Sequence, residues 1–200
     1  MKLFYSPSSP YVRKVMACAI ARGIDQQITL VPANPHQSPA GLLAANPLSK
    51  VPCLVTVDGL ALFDSPVICE FLDSVGDELP MFPRAGGARW RALKQQALGD
   101  GIMDAAIARR MEQARPREAA RDAVMARQQA AVSRALAELE REVPHRTADI
   151  GTLTIACALG YLDFRFAAEP WRPDHPQLAA WFAAMMELPA LVRTVPAEPA

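Results

Sequence analysis

The stretch from Asn46 to Ser65, NPLSKVPCLVTVDGLALFDS, leaves the backbone few choices. Val51-Pro52 stands before one β-rich run, Cys53–Val57, and Asp64-Ser65-Pro66 stands after a second, Leu60–Phe63. Asp58-Gly59 between them signals a two-residue hairpin turn, because a turn of the favoured twist takes positive φ. Ser65-Pro66 reads as a helix N-cap followed by the first helical residue: a hydroxyl for a free backbone N–H, then a ring with φ already set. A loop carrying an X-Pro bond therefore faces a helix N-terminus across a hairpin. Free N–H groups at such a terminus attract a small carboxylate.

The residues before this stretch alternate strand and helix signals. Lys2–Tyr5 is short and apolar, a buried-strand pattern. Ser9 is positioned to cap a helix with Pro10 at its first position, running to about Arg22, and Gly23 suits the residue past its end. Val12, Val15, Met16, Ala19 and Ile20 make its apolar stripe. Gln27–Val31 is a second strand, and strand–helix–strand implies a right-handed unit with parallel strands. Three prolines make 32–39 a loop, Ala40–Ala45 a short helix, and Pro66 to about Val75 the helix after the hairpin. The order is β-α-β-α-β-β-α.

A linker rich in Gly, Pro and Asp follows, and everything after it reads helical. Trp90, Leu93, Ala97, Leu98, Ile102 and Ala105 recur at three and four. Met125, Val132, Leu136, Leu139 and Val143 do the same, with Pro116 near the start of their helix. Leu153 to Ala168 is apolar nearly all round, the pattern of a helix inside a bundle. Pro176 to Met186 places Leu178, Trp181, Phe182 and Met185 on one side, and Pro189 ends it. The expected organisation is residues 1–76 as an α/β domain, 77–87 as linker and 88–200 as an all-α helical bundle.

Composition narrows the partners. Twenty-one basic residues balance twenty-one acidic ones. A nucleic-acid or membrane-surface partner would call for a basic excess, so neither is expected. No apolar run is long enough to span a bilayer, and MKLFYSPSS does not open like a signal peptide. Cys18, Cys53, Cys69 and Cys157 are scattered in apolar segments, which suits free buried thiols in a reducing cytoplasm. His36, His145 and His175 lie far apart, so neither a metal site nor a catalytic triad is expected.

With Ser9-Pro10-Tyr11-Val12, Val51-Pro52 and Asp64-Ser65 in this order, the chain resembles the cytosolic-type glutathione transferase superfamily over almost its whole length. That resemblance implies a thioredoxin-like first domain that binds glutathione and a helical second domain that borders an electrophile pocket. It implies a cis Val51-Pro52 bond, with the Val51 backbone offering N–H and C=O to the ligand's cysteinyl peptide as a strand edge would. Asp64 would pair with the γ-glutamyl ammonium, and Ser65 with the helix N-terminus would hold the neighbouring carboxylate. Lys50 would reach the glycyl carboxylate as a point charge. Ser9, Pro10 and Tyr11 would border the thiol. The family's capping box at the start of its buried helix falls on Thr154-Ile155-Ala156-Cys157, where Cys157 cannot return the reciprocal bond.

The thiol is the reacting group. At a pKa near 8.5 it is only about 3% thiolate at pH 7, and lowering that by about two units needs roughly 2.7 kcal/mol of preference for the thiolate. A helix N-terminus and one aimed hydroxyl can supply it. Ser9 is placed in that role, with Tyr5, Ser6 and Ser8 as competing donors. Related glutaredoxins and omega-like transferases carry Cys at this position. Serine cannot form a mixed disulfide, which favours transferase, peroxidase or reductase chemistry on glutathione's own thiol. The implied enzyme activates glutathione, as co-substrate, against a small hydrophobic electrophile or a peroxide. It would act in the cytoplasm as a homodimer and without a metal.

Two rival readings share the fold: a stringent-starvation-type protein-interaction module, and a carrier of glutathione or apolar ligands without turnover. Arg13 has Asp100, Asp104 or Asp163 as possible partners in the second domain. Arg109 and Arg110 border the implied electrophile pocket but read best as a solvated helix face.

Overall fold

A computed structural model of the chain describes residues 1–198. Four strands form one mixed sheet in the order β2-β1-β3-β4. They are β1 (Lys2–Tyr5), β2 (Thr29–Pro32), β3 (Cys53–Val55) and β4 (Ala61–Leu62). β1 runs parallel to β2 with Leu3 beside Leu30, and antiparallel to β3 with Phe4 beside Cys53. β3 pairs antiparallel with β4, Leu54 beside Leu62. This is the small sheet of a thioredoxin-like domain, with the parallel β1–β2 crossover that the sequence predicts.

Helix α1 (Pro10–Ala21) starts where Ser9 caps it: the Ser9 Oγ accepts the Val12 N–H at 3.3 Å. Gly23 takes φ +69° just past its end. A 3-10 turn at Asp25–Gln27 takes up Gln27, expected to open the second strand, so β2 begins two residues later. α2 spans Ala40–Ala45 as expected and packs against β3. α3 (Ser65–Val75) packs against α1, and Leu3, Val15, Cys18, Leu54, Ile68 and Leu72 are wholly buried in the shared core.

The hairpin differs from its expectation. Its loop has three residues, not two. Thr56 N donates to Leu60 O and Gly59 N to Thr56 O, with Gly59 alone at positive φ, +89°. The Leu60 N–H goes to the Thr56 hydroxyl at 2.9 Å instead of the Thr56 carbonyl. That is a type I turn closed by a left-handed glycine, and it shortens both strands. The start of α3 also moves. The Asp64 carbonyl already accepts the Ile68 N–H, so Asp64 is the N-cap and Ser65 the first helical residue.

The second half is helical: α4 (Gly86–Gln113), α5 (Ala119–Arg141), α6 (Ile150–Arg165), α7 (Pro176–Met185) and α8 (Pro189–Val192). The expected helical half runs to residue 200, of which 199 and 200 lie outside the described residues. α6 is buried at every position from Ile150 to Leu162, as its all-round apolarity requires. It lies along α4 so closely that a Cβ on Gly151 would sit 2.5 Å from the Ala92 carbonyl, which only glycine permits.

Three expectations fail here. Trp90 is 69% exposed and Ala97 is exposed as well, because the face of α4 that meets α6 runs through Ala92, Gln96, Gly99, Ile102, Met103 and Ala106. Small residues allow the close approach, and the larger residues fall beside it. Val143 lies beyond the end of α5 and is exposed.

The capping box also sits elsewhere. Asp149 Oδ1 accepts the Thr152 N–H at 2.8 Å, and Thr152 Oγ1 accepts the Asp149 N–H at 2.9 Å. Thr154 lies inside the helix and donates to the Ile150 carbonyl. The chemistry is the capping box with its acid and hydroxyl exchanged. His175 is the N-cap residue of α7, whose buried Leu178, Trp181, Phe182 and Met185 are those predicted.

Asp149→Ala removes a buried cap at the start of the central helix. It is expected to lower stability by about 1–2 kcal/mol, read as a lower urea midpoint at unchanged slope. A midpoint equal to that of the parent would contradict the assigned box.

Candidate functional site

The sheet register brings three separated sequence motifs to one end. Phe4 stands beside Cys53, so the chain leaving β1 toward Ser9 lies next to the chain entering β3 through Val51-Pro52. β3 and β4 are antiparallel, so Phe63, Asp64 and Ser65 leave β4 at that same end. The cores of the three motifs are 4, 2 and 2 residues long, yet more than 50 residues of chain separate the first from the last.

Ser9 is half-buried at the N-terminus of α1. Its oxygen accepts the Val12 N–H, so the hydroxyl proton remains available to a further acceptor. An anion at that acceptor position also faces the positive end of the α1 dipole. Pro10 is buried as the first helical residue. Ser6 and Ser8 face each other, their hydroxyls 3.4 Å apart, and compete with Ser9 as donors from the same loop.

The Val51–Pro52 peptide is cis, as is Phe63–Asp64. Pro52 is buried, Val51 half-buried and Lys50 exposed. The loop before them is braced by Asn46, which sequence reasoning missed. Its buried side chain accepts the Leu48 N–H at 3.0 Å and donates to the Lys50 carbonyl at 2.9 Å. The available signal was Asn-Pro opening a turn, where an Asn side chain replaces a backbone partner. Across from this loop, Ser65 is buried. Asp64 is exposed and makes no capping bond, which leaves its carboxylate for a cation.

Tyr11 also reaches across to the second domain. Its hydroxyl donates to the Asp104 carboxylate of α4. Burial and that acid push the phenol far above its ordinary value, so it stays a neutral donor. Beside it, Lys14 has no exposed side-chain surface, and its Nζ lies 2.6 Å from Asp100 Oδ1. Burial holds the Asp100 carboxyl above the usual range against the pull of Lys14, with Asp104 and Asp64 adding repulsion. No sequence signal marks Lys14 for burial, since a lysine on an amphipathic helix normally reaches solvent.

Arg13 does not pair with Asp100, Asp104 or Asp163. Its buried guanidinium reaches the Leu191 carbonyl at 3.4 Å and the Met186 sulfur at 3.5 Å. Those acids are occupied by Lys14, Tyr11 and Arg172. Arg109 is likewise no solvated residue. It is buried over the Phe166 ring, 4.4 Å from the centroid, and paired with Glu169 at 2.7 Å. Arg110, next to it, is exposed.

All four cysteines are buried. Burial pushes the Cys157 thiol up to about 11, and a hydrogen bond with Cys69 plus burial pushes Cys18 well up. Burial raises Cys53 too, which makes it a poor second thiolate beside Pro52. Among the described residues no group of three or more His, Cys, Asp or Glu is arranged to hold a metal. None of their helices is long and apolar enough to cross a membrane. A hollow of about 250 Å³ between α4 and α5, lined by Lys94, Leu98, Glu138 and His145 among others, includes none of the expected site residues.

Residues 8–75 match the model of the glutathione S-transferase N-terminal domain, and residues 122–184 that of the C-terminal domain. The chain is 36% identical over 201 residues to the uncharacterised GST-like protein YibF of Escherichia coli (strain K12), covering 98% of each. A glutathione transferase family member from Pseudomonas fluorescens Pf-5, solved with bound glutathione, is 42% identical, covers 98% of both chains and superimposes with a TM-score of 0.92. It was also solved with S-(propanoic acid)-glutathione. A glutathione S-transferase from Methylobacillus flagellatus KT, solved with glutathione, is 32% identical over 98% of this chain and 99% of its own, with a TM-score of 0.88.

The Lys14–Asp100 pair yields a pH-dependent prediction. In Lys14→Met the Asp100 carboxyl loses its cation and is expected to rise further. A carboxyl whose folded pKa lies above its unfolded value stabilises the fold below the unfolded pKa, and that stability is lost as pH rises through the folded value. The variant is therefore expected to lose about 3–5 kcal/mol at neutral pH and less in mild acid, measured by urea unfolding at both. A loss that does not depend on pH would contradict the pairing.

Proposed function

The chain belongs to the glutathione S-transferase family, and on that premise we propose that it activates the glutathione thiol for attack on a small electrophile. The observation that carries the reading is Ser9. It is a helix-capping hydroxyl whose oxygen is used by the Val12 N–H and whose proton is not, at the sheet end shared with Val51 and Asp64-Ser65.

The roles follow from the donors and acceptors present. The Val51 backbone pairs with the cysteinyl peptide of glutathione. Ser65 and the first N–H groups of α3 receive the γ-glutamyl carboxylate, and the exposed Asp64 carboxylate receives its ammonium. Lys50, on the loop that Asn46 braces, attracts the glycyl carboxylate. Pro10 and Tyr11 shape the wall beside the sulfur, Tyr11 held in place by Asp104. The Ser9 hydroxyl donates to the sulfur and favours the thiolate, assisted by the N-terminus of α1. The thiolate then bonds to the electrophilic carbon, and the leaving group departs with the electron pair. A peroxide is an alternative acceptor for the same thiolate. Glutathione and its S-(propanoic acid) conjugate in the Pseudomonas relative support this assignment. A cytoplasmic location fits a reaction that consumes reduced glutathione.

Calorimetry is expected to register glutathione binding at millimolar or lower concentration. Ser9→Ala is expected to keep that binding while lowering kcat with 1-chloro-2,4-dinitrobenzene by roughly 10- to 100-fold, the worth of one hydrogen bond to a charged group. The ultraviolet absorbance of bound thiolate should fall in parallel. Turnover unchanged in Ser9→Ala would reassign the donor to Tyr5, Ser6 or Ser8.

The protein is further proposed to act as a homodimer, whose contact would cover the exposed Trp90 at the start of α4. Light scattering at micromolar concentration should then return twice the 21.7 kDa chain mass, and a single chain mass would oppose it.

A further inference from the structure

Residues 193–198, after α8, turn back to the loop that carries Ser9. The Ala197 N–H donates to the Pro7 carbonyl at 3.3 Å, two residues before Ser9. Glu198 then lays its carboxylate on Arg165 at the end of α6. Its Oε2 lies 3.2 Å from Nη2, and its Oε1 meets Nη1. This is the two-pronged pairing in which a guanidinium recognises a carboxylate.

The partners are unequal. The Arg165 side chain is 6% exposed, whereas that of Glu198 is 64% exposed. The cation is built into the fold, and the anion has come to it from an exposed segment. The guanidinium lies 4.0 Å from the centroid of the Phe164 ring, and its Nε has no hydrogen-bond partner. The nearby acids are committed elsewhere: Asp163 to Arg172 and Glu169 to Arg109, each at 2.7 Å. Among the described residues, Glu198 is the one acid paired with Arg165. A buried cation without a counter-ion is costly, so this position favours an anion whichever molecule supplies it.

The surroundings connect it to the candidate site. Tyr161 stands one turn before Arg165 on α6. Its phenol is pushed up by burial and opposed by the charges of Arg165 and Arg110. Tyr11, two residues after Ser9, feels Tyr161 in turn. The Arg165 hydrogen bond, with the charges of Arg165 and Arg110 behind it, holds the Glu198 carboxyl below its usual range.

We propose that Arg165 is a carboxylate-binding subsite for the second substrate, and that Glu198 fills it as an internal stand-in which an acidic electrophile displaces. The inference rests on the glutathione reading above and narrows its substrate class to electrophiles bearing a carboxylate. Exchange of one carboxylate for another leaves the buried charge compensated. The energetic cost of entry is then confined to releasing residues 195–198, held among the described residues by the Ala197–Pro7 hydrogen bond and the Glu198–Arg165 ion pair, while Arg193 stays on Asp25 and Thr194 on the Ala190 carbonyl.

The test compares 4-chloro-3-nitrobenzoate with its neutral methyl ester. In both, the glutathione sulfur bonds to the ring carbon bearing chlorine, the C–Cl bond breaks, and chloride leaves with the electron pair. The readout is the ratio of kcat/KM for acid over ester. Arg165→Gln is expected to lower the ratio about tenfold, as loss of a charge-assisted bond implies. Glu198→Gln is expected to raise it severalfold, chiefly through KM. An unchanged ratio in both variants would overturn the proposal. Should Arg165→Gln fail to fold, Arg165→Lys keeps the charge without the fork and should lower the ratio less, while Glu198→Gln stands as the independent arm. Calorimetry with 3-nitrobenzoate in the absence of glutathione separates this inference from the reading beneath it. Binding that tightens in Glu198→Gln supports the subsite even where no conjugate forms, and absence of such binding counts against it even where glutathione binds.

Discussion

Lys14 is a lysine with no exposed side-chain surface, and its ammonium meets Asp100 of the facing helix at 2.6 Å. Such a pair stabilises little over an apolar substitute, but it is costly to break once formed. It fixes where α1 lies against α4. α1 has α3 on one side and α4, α6 and α8 on the other, so it belongs to both halves of the molecule. Tyr11 and Arg13 cross the same seam, one to Asp104 and the other to the Leu191 carbonyl. The helix that presents Ser9 at its first turn is thus held by polar contacts along the two turns that follow.

This has a consequence for chemistry. A hydroxyl that stabilises a thiolate must be held to within a few tenths of an ångström, or the hydrogen bond weakens. Ser9 is itself the cap of α1, with its oxygen fixed by the Val12 N–H. It stands on a helix that cannot shift without breaking the Lys14 pair and the Tyr11–Asp104 bond. The opposite wall is held differently, by Asn46 bonds within a loop and by sheet register. One side of the candidate site is therefore set by interdomain packing and the other by local turn chemistry.

α6 supplies the second constraint. Its helix is buried on all sides from Ile150 to Leu162, so polar groups can emerge only at its end. Arg165 is at that end, beside Tyr161 and the returning segment 193–198. The position of a cation next to the Ser9 loop follows from where the apolar run of α6 stops.

Much of this was legible in the sequence. Period, caps and turn residues located the strands and helices to within a few residues, because they depend on local backbone preferences. Ser9 as a cap, the short α2 and the buried face of α7 are examples. The turn at Asp58-Gly59 departs from the two-residue pattern because the Thr56 hydroxyl takes a ladder position normally held by a carbonyl. The cap of α6 was misplaced because an acid and a hydroxyl had exchanged places. Trp90 falls on the periodic apolar stripe yet lies outside, because periodicity identifies such a stripe but not which small residues the neighbouring helix approaches. The burial of Lys14, Arg13, Arg109 and Arg165 had no local signature at all. The sequence by itself determined which motifs would stand at helix starts and strand ends, since those depend on residues within a turn of each other. Only the tertiary structure decided which charges would be buried and with whom, because an ion's partner across a seam depends on contacts up to 178 residues apart.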